Sequence, residues 1–337
     1  MKLSERIDAF ASLGTVLRAL TDAERSALET KANQENGWFT PTSVRQAIHG
    51  ITVLLEPGKL KSWVATYPIE KTSPRTIGVA MAGNIPLVGF HDFLCVLLCG
   101  HRLVYKPSSK DTVLLKFIQD KLLEIEPRFA DRIQTQERLN GLDGIIATGS
   151  DNTSRYFEYY FRNIPHIIRK NRVSCAILQG DEPESEIHRL GEDIFTYYGL
   201  GCRNVSCVFI PHELDKQFLL ERLAGFSAVM DNHKYENNYT YQKSILMLNQ
   251  EKFFDNGFLL MRESDSLVSP IAVLHYQVYR DLDDLRQRIR ASRQNLQVVV
   301  SAQGWFEGSL PFGTAQYPLV DDYADGVDTL KFLCSIK

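Results

Sequence analysis

TIGVAMAGNIPLVGFHDFLCVLLCGHRLVYKPSS, residues 76–109, is the stretch whose reading decides the fold. Two short runs rich in apolar and β-branched residues, TIGVAMA at 76–82 and HRLVYK at 101–106, flank a longer apolar segment, LVGFHDFLCVLLCG. A strand, a helix and a second strand in that order form the repeating unit of a parallel sheet covered by helices. The rhythm continues in DTVLLKFIQDKLLEI, GIIATG and NTSRYFEYYF up to residue 161. Each strand runs at its carboxyl end into turn residues: Gly83, Asn84 and Pro86; Pro107, Ser108 and Ser109; Gly149 and Ser150. Open α/β sheets bind ligands at that edge, so these loops predict a crevice.

Upstream, residues 1–70 read as a helical segment: Ser4 as a cap for a helix through Leu20, Thr21 with Glu24 as a capping box, and Thr40-Pro41 as a third start. Downstream, SCAIL, the helix near Glu184–Tyr197, VSCVFI, the helix near Glu213–Val229, KSILMLN, PIAVLHYQVY, the helix at Asp281–Arg293 and LQVVVSA predict a second α/β domain. The acidic DEPESE, from Asp181, reads as the surface junction. The expected division is therefore a cofactor domain at 71–180, a catalytic domain at 181–310 and a terminal segment at 311–337. That last segment ends in an apolar run expected to be a strand docking on a sheet, its own or a partner's.

Composition narrows the function classes. Of 337 residues, 44% are hydrophobic and 23% charged, the balance of a globular protein and too apolar for a disordered chain. Lys and Arg total 38 against 41 Asp and Glu, so no basic field attracts nucleic acid or anionic lipid. The longest apolar runs fall well short of a membrane span, and MKLSERIDAF carries no apolar signal core, which points to the cytoplasm. Six cysteines without a C-x-x-C pair suit neither a disulfide framework nor structural zinc, and no H-E-x-x-H, P-loop or G-x-G-x-x-G motif is present.

Four local features carry chemistry. In GLGCRNVSCVFI, Gly199 and Gly201 bracket Cys202 at a turn before a strand, where backbone donors and Arg203 favour a reactive thiolate; the alternative is a small buried hydrophobe. Cys95 and Cys99, four apart in an apolar helix, read as core. Asn84, between Gly83 and Ile85-Pro86, is either an oxyanion donor or turn punctuation. Lys106 opens a Lys-Pro-Ser turn, and Thr148-Gly149-Ser150 starts a helix whose free N–H groups attract phosphate; a solvated loop and an N-cap are the plainer readings.

Taken in this order, the Asn84-x-Pro86 loop, Lys106-Pro107-Ser108, Thr148-Gly149-Ser150, Gly199-x-x-Cys202 and a weaker Pro311-Phe312-Gly313 resemble the aldehyde dehydrogenase superfamily over about residues 70–330. Within it, the ending FGTAQYPLVDDYADGVDTLKFL and the short length resemble the LuxC-type fatty acyl-CoA reductases. The resemblance implies a Rossmann-like cofactor domain joined to an α/β thiol domain. It implies Cys202 as acyl acceptor and Asn84, with the Cys202 N–H, as oxyanion donors. Lys106 and Ser108 would meet the adenosine ribose or its phosphate, and Gly149 and Ser150 the pyrophosphate.

Two departures matter. Aldehyde oxidisers carry a Glu-Leu-Gly-Gly motif whose carboxylate activates water, whereas residues 159–180 here contain no carboxylate. A thioester without that base suits exchange with a thiol or reduction by hydride, hence an acyl-CoA reductase using NADPH, or alternatively NADH. Where the family holds the nicotinamide ribose with Glu-x-Phe-Gly-Pro, this chain reads SLVSP, Ser266–Pro270. That loss weakens the cofactor's grip at that point and lends some support to the alternative, an acyl carrier or interaction subunit without turnover, against which the retained Cys202, Asn84 and Lys106 argue. Asn232–Ser244, rich in His, Tyr and Asn, reads as a polar loop; His233, Tyr235 and Asn238 are its candidate contacts to coenzyme A or the acyl chain. A homodimer is expected from the superfamily, and no metal.

Overall fold

A computed structural model of the chain describes residues 1–149 and 151–336. Helix α1 (Leu3–Arg18) starts one residue before Ser4, because the Glu5 carboxylate folds back and accepts the Lys2 main-chain N–H at 2.6 Å. Ser4 is therefore inside the helix rather than its cap. Thr21 and Glu24 close the expected capping box on α2 (Asp22–Glu35), and Thr40 caps α3 (Pro41–Leu54), with Pro41 in its first turn. Helix α4 (Pro57–Val64) completes the amino-terminal layer.

The chain then alternates as read: β1 (Thr76–Ala80), α5 (Phe90–Leu98), β2 (Arg102–Lys106), α6 (Val113–Ile125), β3 (Ile133–Thr135), β4 (Gly144–Thr148), α7 (Asp151–Phe161) and β5 (His166–Arg169). The sheet is parallel throughout, in the order β3-β2-β1-β4-β5. The chain leaves β1 towards β2 on one side and later returns to β4 on the other, so the switch point lies between β1 and β4. Every residue of α5 from Asp92 to Leu98 is buried, since α1 and α12 (Thr329–Ser335) cover the side turned away from β1 and β2. Cys95 and Cys99 belong to this core, as expected.

The second sheet holds β6 (Val173–Ile177), β7 (Val205–Pro211), β8 (Phe254–Asp255), β9 (Leu260–Glu263), β10 (Val273–Tyr279), β11 (Leu296–Ser301) and β12 (Leu310–Pro311), ordered β12-β11-β6-β7-β10-β9-β8 with only β8 antiparallel. Its helices are α8 (Glu184–Phe195), α9 (Lys216–Arg222), α10 (His233–Leu248) and α11 (Leu282–Ser292). The chain packs as two units, Met1–Asn171 with the segment from Leu319 onward, and Arg172–Pro318.

Two expectations are corrected. KSILMLN is the end of α10, not a strand: Tyr235, Tyr239 and Leu246 share its buried face, and Met247 and Leu248 face solvent. The terminal apolar run is α12, capped by Asp328, whose carboxylate accepts the Lys331 N–H at 2.8 Å. It belongs to the first unit, where Arg169 donates to Thr329 Oγ1 at 3.1 Å and pairs with Asp92 at the start of α5.

Candidate active site

On the first unit, the loops after β1, β2 and β4 leave the same edge of one sheet, with Ala80 opposite both Lys106 and Ala147. Asn84 is exposed on the first of them. Gly83 lets this loop touch the next one: a Cβ there would lie 2.5 Å from Ser108 Cβ and Oγ, closer than real contacts allow. The loop is pinned from below by Asp111, fully buried, whose Oδ2 accepts the N–H of Leu87 at 2.7 Å while Leu87 holds a left-handed φ of 58°. Burial pushes the Asp111 carboxyl up to about 7. Lys106, half exposed at the end of β2, donates from Nζ to the Glu137 carbonyl at 3.0 Å and lies 3.6 Å from the Glu137 carboxylate. Gly149 donates its N–H to the Arg169 carbonyl at 3.2 Å at the end of β4. Ser150 lies outside the described residues.

On the second unit, Cys202 is exposed, whereas Cys95, Cys99, Cys175 and Cys207 are buried and Cys334 is half-buried. Burial pushes the Cys207 thiol up to about 12 and those of Cys95 and Cys175 well above the usual range, and the side-chain hydrogen bond with Cys334, followed by burial, does the same to Cys99, which leaves all four inert. The turn that presents Cys202 begins in Tyr197 and Tyr198, both with left-handed φ (53° and 59°), and passes Gly199 at φ 76°. Non-glycine residues hold that conformation only when their surroundings over-determine it. Asn204 does much of this. Buried at 2% exposure, it donates from Nδ2 to the carbonyls of Asp193 (3.0 Å) and Thr196 (2.8 Å), and its Oδ1 accepts the Gly201 N–H at 2.8 Å. Ser174 in β6 donates its hydroxyl to the Cys202 carbonyl at 2.9 Å.

The family described as acyl-CoA reductase (LuxC) matches residues 38–234, more than half of the chain. The chain belongs to the LuxC acyl-CoA reductase family. Its fold is that of the aldehyde dehydrogenases. The Mycobacterium tuberculosis aldehyde dehydrogenase complexed with NAD+ superposes with a TM-score of 0.66 at 13% identity, over 89% of this chain and 73% of that one. The NAD+ complex of the Bacillus cereus enzyme gives 0.63 at 13% identity (89% and 72%), and an aldehyde dehydrogenase from Burkholderia cenocepacia 0.64 at 16% (89% and 74%). No curated protein sequence matches. Family and fold together make the chain an aldehyde-dehydrogenase-type reductase.

Within this LuxC-family chain, the Asn232–Ser244 segment is helix α10, capped by Asn232, rather than a loop. His233 stands on its first turn, exposed and 3.6 Å from Glu236. Tyr235 is buried, with its ring 6.1 Å from that of Tyr198 in the Cys202 turn. Asn238 donates to the Lys234 carbonyl of its own helix at 2.7 Å. Asn204, Ser174 and Asp111 carry no motif that marks them in the sequence. Only Asn204 leaves a trace there, as an amide side chain at the mouth of an apolar strand. Among the described residues no helix is long and apolar enough to cross a membrane.

Proposed function

We propose that the chain reduces an acyl-CoA thioester to the aldehyde through an acyl-enzyme on Cys202, with NADPH, or NADH, as reductant. The observation that carries this reading is the exposure of Cys202 on a turn whose backbone is held by buried Asn204 and Ser174, in a member of an acyl-CoA reductase family. The residues of the first unit suit a nicotinamide dinucleotide: an exposed ammonium at Lys106, the hydroxyl of Ser108 and the close-packed Gly149 stand at the carboxyl edge beside a topological switch point. When bound, that cofactor supplies a hydride to the acyl carbon.

The chain's own part is thiol chemistry. The Cys202 thiolate adds to the thioester carbonyl, the bond to the coenzyme A sulfur breaks, and coenzyme A leaves as its thiol after taking a proton. The Asn84 amide and the Cys202 N–H hold the oxyanion, each donor worth about 3–4 kcal/mol in the transition state. After hydride delivery the hemithioacetal collapses to aldehyde and the Cys202 thiolate. Hydrolysis is disfavoured because residues 159–180 supply no carboxylate to activate water. The acyl substrate, a dimer and a cytoplasmic setting belong to the same proposal.

The test is a panel of acyl-CoAs of increasing length with each reduced nicotinamide, following its oxidation, repeated with Cys202→Ala. Oxidation that needs Cys202 supports the reductase. Acylation of Cys202 without oxidation supports the carrier reading, to which the missing Glu at Ser266–Pro270 lends weight.

A further inference from the structure

Pro311-Phe312-Gly313 has no part in the reaction above, yet the structure places it against the thiol turn. After β12 the chain turns through Gly313, at φ 79°, and lies directly on α8: a Cβ on Gly313 would sit 3.0 Å from Glu192 Oε2 and 3.1 Å from Arg189 Cβ. Asp193, with no exposed surface, receives this segment. Its Oδ2 accepts the Gly313 N–H at 2.7 Å and its Oδ1 the Ala315 N–H at 3.0 Å. From the other side, Arg203 donates from Nε to the Ala315 carbonyl, and Asn204 donates to the Asp193 carbonyl at 3.0 Å. The two residues that follow Cys202 are thus tied by separate bonds to one joint.

We propose that Asp193 is a positioning residue for Cys202, its carboxylate holding Gly313–Ala315 where the Ala315 carbonyl receives Arg203, and its main-chain carbonyl receiving Asn204, so fixing the turn that presents the thiol. The inference rests on Cys202 being the nucleophile. An ionised carboxylate satisfies both backbone N–H groups, whereas a protonated one gives up acceptor strength on the oxygen that carries the hydrogen. Burial pushes the Asp193 carboxyl up to about 7, opposed by the hydrogen bonds from the Gly313 and Ala315 N–H groups and, more weakly, by Arg203 from the turn, and aided by Glu192 on its own helix; Arg189 flanks the joint, and Gly313–Ala315 brings no charge. The joint is therefore complete above neutrality and weakened below it.

The experiment measures the alkylation rate of Cys202 by iodoacetamide in the full chain from about pH 6 to 9, divided by the thiolate fraction read from its ultraviolet absorbance. The parent protein is expected to show a roughly five- to tenfold rise centred near pH 7. Asp193→Asn is expected to stay at the low-pH level, with kcat lowered by a similar factor and KM for acyl-CoA little changed. A parent-like step or parent-like rate in Asp193→Asn overturns the proposal. Should that variant not fold, Arg203→Lys removes the Nε donor while keeping the charge: a lowered rate supports the joint and a parent-like rate refutes it. A pH step that survives in a chain unable to reduce any acyl-CoA overturns the reductase reading and leaves the joint standing.

Discussion

The hydroxyl of Ser174 donates to the main-chain carbonyl of Cys202 at 2.9 Å and accepts the N–H of Val298 at 3.2 Å. One fully buried side chain in β6 thereby connects the candidate nucleophile to β11. Ser174→Ala leaves the half-buried Val298 N–H and the Cys202 carbonyl without that partner, at a cost of about 0.5–1.5 kcal/mol. Urea denaturation checks the stability loss, and a slower alkylation of Cys202 checks the loosened turn. Unchanged stability and an unchanged rate would show that the hydroxyl is idle.

Asp111 makes stability depend on pH in a defined direction. Its carboxyl is raised from the ordinary range near 3.8 to about 7, so between these values the folded chain keeps a proton that the unfolded chain has released. Its contribution is fully present below pH about 4 and is lost as pH rises through about 7, each pH step between the two costing about 1.4 kcal/mol. Buried His101 and His275 and half-buried His91, whose pKa values desolvation lowers, act in the opposite sense over part of the range. The informative quantity is therefore the difference between parent and Asp111→Asn. The variant is expected to lose the downward slope from about pH 4.5 to 7 and to be at least as stable as the parent at pH about 8. Parallel curves would contradict this.

Gly83 sets the contact between the Asn84 loop and the Lys-Pro-Ser turn. Because a Cβ would meet Ser108 at 2.5 Å, Gly83→Ala must displace one of the two loops. Roughly tenfold weaker binding of reduced nicotinamide is expected, partly restored in Gly83→Ala/Ser108→Gly, as coupled neighbours require. Fluorescence titration measures both; an unaltered affinity in the single variant would detach this loop contact from cofactor binding.

The parallel sheet and its three loops were legible because short continuous apolar runs and turn residues act locally, from TIGVAMA to GIIATG. The Thr21–Glu24 and Thr40-Pro41 helix starts were legible for the same reason. The errors fell where tertiary packing overrides local pattern. SILML reads as a strand on its own, but Tyr235 and Tyr239, earlier on the same buried face, carry it into α10. The terminal DTLKFL is held as a helix by Asp328 and by its packing on α5. Strands Phe254–Asp255 and Leu260–Glu263 are too short to announce themselves. Among the candidate residues, Cys202 on its turn in the second unit and Asn84 on its loop in the first were legible as motif residues. Asp111, Asp193 and Ser174 were not, since a buried polar residue declares itself only through partners far along the chain, such as Gly313 for Asp193.

The central claim is that the Cys202 sulfur carries the acyl group. Intact-protein mass spectrometry after mixing with an acyl-CoA, first without and then with reduced nicotinamide, reads this directly. The account predicts a gain of one acyl mass located at Cys202, absent in Cys202→Ala, which disappears on adding the reductant as aldehyde is released. An adduct that persists in Cys202→Ala, or no adduct with any acyl-CoA, would contradict it.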